Sequence, residues 1–113
     1  MNKGANIFIE HIIDSIIKLE EFTRSVNEEE FNNNVQLQDA VVRRIEIIGE
    51  AAKNLPKDFK EKYNEISWKE IIGTRDKIIH HYFGVNLDIV WSIVKRDLPD
   101  LKKKLKIIQL GYL

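Results

Sequence analysis

WKEIIGTRDKIIHHYF, residues 68–83, reads as one amphipathic helix: at about 100° per residue Trp68, Ile71, Ile72, Ile78, Ile79 and Tyr82 share one apolar arc. Ser67 and Glu70 have the spacing of a capping box ahead of it, and Gly84 can terminate it. Arg75 falls in the middle of the arc. A guanidinium is costly to desolvate and cannot give up its charge, so it must be paired, solvated in a cleft or placed at an interface. The plainest account is an ion pair with Glu46 or Glu50 of the preceding long helix.

Working outward, the rest of the chain is helical too. Ile9, Ile12, Ile13, Ile16 and Leu19 mark a first helix over 7–26, with Ile17 and Phe22 widening its stripe. Asn27 and Glu30 have capping-box spacing, and Glu28, Glu29 and Glu30 suit a positive helix amino terminus. A second long helix over about 35–55 buries Val41, Ile45, Ile48, Ala52 and Leu55, and Pro56 stops it. Its interior Gly49 points to close approach by another backbone. After a mixed connector and the 68–83 helix, Asn86 can cap a last stretch carrying Leu87, Val90, Trp91, Val94, Leu98 and Leu101. Pro99 there predicts a kink, or a restart capped by Asp97. No strand pattern is present, so the expected fold is all-α, an antiparallel bundle of four to five helices in a single domain over 1–113.

The 113 residues suffice for one core, and 43% hydrophobic with 32% charged residues is far from a disordered composition. Without cysteine there is no disulfide, thiolate metal site or cysteine nucleophile, and a cytoplasmic location is expected. No run approaches the roughly 20 apolar residues of a membrane span. Eighteen basic residues balance eighteen acidic ones, so any contact with RNA must be local. Between Lys95 and Lys106 six basic residues face two acidic ones, a run able to track a phosphate backbone that reads first as a solvated helix face.

Around Arg75, Asp76 and His80 are four apart and stack on one side of the helix, so the carboxylate can orient or charge the imidazole. Arg75 and Tyr82 are seven apart and align along the apolar stripe, while His81 points elsewhere. Arg75 and His80, however, lie about 140° apart on an ideal wheel and cannot converge on one phosphate from one straight helix. Either the last turn is distorted near Gly84, or two copies of the helix face each other across a dimer. The second arrangement also accounts for Gly73 in a helix interior, where it would admit close packing. His11, His80 and His81 have no metal-ligand spacing, and no glycine-rich phosphate loop or nucleotidyltransferase aspartate pair is present.

The segment Arg75-Asp76-Lys77-Ile78-Ile79-His80-His81-Tyr82 matches the HEPN motif of arginine, four residues, histidine, one residue and tyrosine. The blocks Trp68-Lys69-Glu70-Ile71-Ile72-Gly73, Tyr82-Phe83-Gly84-Val85 with Ile89-Val90-Trp91, and Glu46-Ile47-Ile48-Gly49-Glu50-Ala51-Ala52 resemble the HepT toxins, over about 38–103. The resemblance implies a HEPN-like helical homodimer that cleaves RNA without metal or other cofactor, using Arg75 and His80 at the dimer cleft. It also implies an antitoxin of the minimal nucleotidyltransferase type that transfers AMP to Tyr82. Those roles suit the chemistry: His80 can move protons as a 2′-hydroxyl attacks the adjacent phosphate, Arg75 can stabilise phosphoryl charge, and Asp76 has an orienting part. Two other readings stand beside the ribonuclease: a non-catalytic nucleotide- or substrate-binding partner of a nucleotidyltransferase, and a helical dimer whose Arg75 is structural.

Overall fold

A computed structural model describes residues 3–80 and 86–111, and the side chains of these except residues 3, 75 and 77–80. Helix α1 (Lys3–Thr23) buries the expected stripe of Ile9, Ile12, Ile13, Ile16 and Leu19. Ile17 packs on the edge of the core, but Phe22 does not join it: its ring is 39% exposed. The helix stops three residues before the expected Val26, where the buried Thr23 hydroxyl turns back to the Leu19 carbonyl at 2.7 Å. Lys95 Nζ then donates to the Thr23 carbonyl at 3.0 Å, placing a cation on the negative end of the helix.

Helix α2 (Glu28–Asn32) opens on the expected capping box, with Asn27 accepting from the Glu30 amide at 2.8 Å and Glu30 accepting from the Asn27 amide at 3.3 Å. Helix α3 (Val35–Lys53) starts on Asn34, whose side chain accepts from the Leu37 amide. It buries Val41, Ile45, Ile48 and Ala52 together with Gly49, and Leu55 just beyond joins the same core. α1 and α5 (Trp68–His80) both pack along it.

Between α3 and α5 lies a helix the sequence reading treated as connector, α4 (Lys57–Lys62). Its only buried residue is Phe59, a signal too short for periodicity to reveal. Phe59 stacks on Tyr63 at 4.8 Å and on Trp68 at 6.1 Å, while Trp68 Nε1 donates to the Tyr63 carbonyl at 3.1 Å. This aromatic knot fixes where α5 begins. The amides of Glu70 and Ile71 meet the Ser67 backbone carbonyl at 3.0 and 3.1 Å.

Asn86 caps α6 (Leu87–Ser92) through its side chain, as expected, accepting from the Asp88 amide at 3.0 Å. The restart at Asp97 is not found. Asp97 is helical and makes no cap bond; α6 instead runs through a π-helical turn (Ile93–Asp97) into α7 (Leu98–Gln109). The reason is Pro99, which lacks an amide hydrogen and whose ring crowds the carbonyl four residues back. Widening by one residue, with the Leu98 amide reaching the Ile93 carbonyl, relieves that crowding without breaking the helix. The described chain is thus all-α, four long helical stretches with α2 and α4 as short steps between them.

Ile16 is fully buried in α1, so Ile16→Ala should cost about 3 kcal/mol in a denaturant titration, whereas Val35→Ala at an exposed position should stay within about 0.5 kcal/mol. The first turns of α2 and α6 also bring two carboxyls together. A hydrogen bond to Asp88, some desolvation and the charge of Asp88 hold the Glu28 carboxyl above its ordinary value of 4.5. The folded state therefore binds this proton more tightly than the unfolded chain does. The stability it contributes is full below pH 4.5 and is lost as pH rises through the raised value. Glu28→Gln should gain Tm relative to the parent at neutral pH, and that advantage should vanish in acid.

Candidate functional site

α5 remains α-helical through His80, so Arg75 and His80 occupy one regular helix with five-residue spacing. Their backbone positions are therefore about 140° apart around the axis, as expected for an undistorted helix. The side chains of Arg75 and His80 lie outside the described residues, as do His81, Tyr82 and Gly84, the residue expected to end the helix. Asp76 lies on the same helix with its side chain exposed, and makes no ion pair with a described residue.

The acidic residues considered as partners of Arg75 sit on α3. Glu46 is 3.8 Å from Arg43, one turn earlier on the same helix, and Glu50 is exposed. With His11 and Phe8 of α1 they line an open groove on the outer face of α3. On the other side, Ile45 and Ile48 of α3 come together with Ile71 and Thr74 of α5 around a second cleft. Trp68 is buried, and Ile71 and Ile72 pack against the core, so the first half of the apolar arc holds α5 in the bundle.

A Cβ built at Gly73 would meet nothing within 4 Å, so no neighbour among the described residues requires a glycine there. Gly49, by contrast, is buried in α3. What sequence reasoning missed is the anchoring of α5 by α4; the signal was the aromatic triplet Phe59, Tyr63 and Trp68, spaced four and five apart. Among the described residues no helix is long and apolar enough to cross a membrane, and no three acidic or histidine side chains gather as a metal site.

An all-α bundle presenting an arginine–histidine helix is the architecture of HEPN proteins. Residues 12–108 match the model of the HepT-like ribonuclease family, and this chain belongs to that family. A Thermococcus cleftensis protein named probable ribonuclease HepT is 46% identical over 104 residues, 92% of this chain and 94% of the relative. A Caldanaerobacter subterraneus protein provisionally named an RNase is 46% identical over 99 residues, 88% of each chain. A Methanocaldococcus jannaschii protein named as a gamma-glutamylcyclotransferase and, provisionally, an RNase is 52% identical over 110 residues. The chain spans half the length of that last relative. No solved structure matches the chain significantly.

Because Gly73 has open space, Gly73→Ala should raise the stability of the isolated chain by about 0.5–1 kcal/mol through helix propensity, read as a shift in denaturation midpoint at unchanged slope. Loss of stability would show that the space is filled in the protein in solution.

Proposed function

We propose that this chain is the ribonuclease toxin of a toxin–antitoxin pair, a homodimer that cleaves RNA without a metal where two α5 helices meet. Arg75 and His80 are its catalytic residues, and Tyr82 is its point of control. The observation carrying this reading is the regular helix that holds Arg75 and His80 about 140° apart, in a chain belonging to the HepT-like ribonucleases. One such helix cannot bring both groups to one phosphate, whereas two related by a two-fold axis can. Open space beside Gly73 supports the same arrangement, since the glycine then serves a neighbour from outside the chain.

In that cleft an imidazole accepts the proton of a ribose 2′-hydroxyl as the oxygen attacks the adjacent phosphorus. The P–O5′ bond breaks, leaving a 2′,3′-cyclic phosphate, and a protonated imidazole of the second copy gives its proton to the departing 5′-oxygen. The guanidinium, bidentate and always charged, holds the phosphoryl oxygens as charge builds on them. Asp76 positions His80 from one turn earlier. AMP transferred to Tyr82 by a nucleotidyltransferase antitoxin would set a phosphodiester anion beside Arg75, filling the place of the RNA phosphate.

A second reading has one observation in its favour: with eighteen charges of each sign the chain has no net field to attract RNA, which suits a non-catalytic, nucleotide- or substrate-binding partner of a nucleotidyltransferase. Expression alone separates the two, because only the toxin should arrest growth in a manner that depends on His80.

In assays with purified protein, His80→Ala and Arg75→Ala should each lower RNA cleavage by a factor of about 100 or more and leave a folded chain, while His81→Ala changes it little. Cleavage should persist in excess chelator; activity restored only by magnesium would remove the mechanism. Gly73→Leu should weaken the dimer by overpacking the contact. Tyr82→Phe should stay active yet escape silencing by the transferase, with no added AMP mass; silencing of that variant would end the proposed control.

A further inference from the structure

By its backbone position Arg75 falls in the arc of α5 that packs along α3: Trp68 of that arc is buried, and Ile71 and Ile72 lie against the core to either side of it. A guanidinium there keeps its charge and needs an anion or water. The packing sorts the carboxylates of the neighbouring helices. Asp100 is bonded to Lys104 at 3.1 Å, and Glu46 lies 3.8 Å from Arg43. Asp97 stands across the cleft with Thr74 and Glu70, positions about 100° and 140° around α5 from Arg75. Glu50 is the next carboxylate on α3.

α5 begins at the carboxy-terminal end of α3, where α4 ties Trp68 down, so the two helices run antiparallel. Ile45 and Ile48 of α3 share one cleft with Ile71 and Thr74 of α5, which sets Arg75 at the level of Ile45. Glu50 is five residues further along α3, about 7.5 Å. Long helical side chains lean toward the amino terminus of their own helix, and in an antiparallel pair the two leans close this gap. An arginine on α5 leans toward the end of α3, and a glutamate on α3 leans back from it. Glu46 obeys the same rule by meeting Arg43, one turn earlier. Gly49 opens the way between them. It is buried about 40° around α3 from Ile45, and with no side chain there an arginine stem can cross to the outer edge where Glu50 is exposed.

We infer that Glu50 is the positioning residue of Arg75, its carboxylate accepting from one edge of the guanidinium. Arginine carries five donors in one plane, so the other edge remains for phosphoryl oxygens. A guanidinium oriented before RNA arrives does not have to be ordered in the transition state. The effect on rate rests on the ribonuclease reading above, whereas the contact itself does not. Because Glu50 is exposed, the pair adds little to stability, which separates positioning from a structural role.

The contact is tested first without activity. In a proton–nitrogen correlation spectrum the Arg75 Nε–H signal, assigned by its absence from Arg75→Lys, should be protected from exchange with water in the parent, in Glu46→Gln and in Asp97→Asn. Glu50→Gln should remove that protection. In the cleavage assay Glu50→Gln should lower kcat roughly 10- to 100-fold with KM unchanged or lower, the site having lost a negative charge. Its Tm should stay within about 3 °C of the parent's. In an Arg75→Ala background the same change should add nothing, since a positioning residue acts only through its partner. A signal indifferent to Glu50→Gln, or an equal loss of rate with and without Arg75, would overturn the assignment. Loss of protection in Glu50→Gln together with no His80-dependent cleavage in the parent would keep the contact and remove the ribonuclease reading instead.

Discussion

α3 carries apolar residues on two sides, and α5, the helix with Arg75 and His80, is held in the bundle chiefly by packing along it. Everything the chain can do with those two residues depends on that contact. Ile45 and Ile48 meet Ile71 and Thr74 there, and Gly49 is buried in the same helix. The start of α5 is fixed separately, by Trp68 seated on Phe59 and bonded to the Tyr63 carbonyl. Gly73 of the same helix has no described neighbour within 4 Å of a built Cβ.

The last long stretch solves a different problem. Pro99 removes one amide from a helix that must continue, and the π-helical turn absorbs the crowding by admitting one extra residue per turn. That turn also carries side chains that do further work. Lys95 bonds the Thr23 carbonyl and lies 4.8 Å from the Trp91 ring, whose other neighbour is Phe31 of α2 at 5.2 Å. Asp97 comes to the cleft beside α5. One proline thus bears on how α1 ends, on how α2 and α6 meet, and on the shape of a surface cleft.

Net neutrality hides how unevenly charge is arranged. Of the six basic residues between Lys95 and Lys106, Lys95 and Lys102 tie the last stretch to α1 and Lys104 pairs with Asp100 one turn earlier in α7, so half of the run is engaged inside the chain. Arg96, Lys103 and Lys106 stay exposed without an ion-pair partner among the described residues, and so does Asp97.

The sequence by itself determined the helices and their buried faces, because the 3.6-residue repeat records which side of a helix leaves water: Ile9 to Leu19 and Val41 to Leu55 are buried as their spacing requires. It also determined the caps at Asn27 and Asn86, which depend only on neighbours within three residues. The motif Arg75, His80, Tyr82 was legible as a pattern of residue types, and so was the helix that carries the first two. Only the tertiary structure decided how that helix is held. A buried aromatic such as Phe59 in a six-residue helix leaves no periodic trace, and its value comes from residues on other elements. The same holds for the π-helical turn in place of a restart, for Phe22 outside the core, and for Gly73 facing open space. In each case the outcome is set by which surface another helix reaches, a long-range fact that local spacing does not contain.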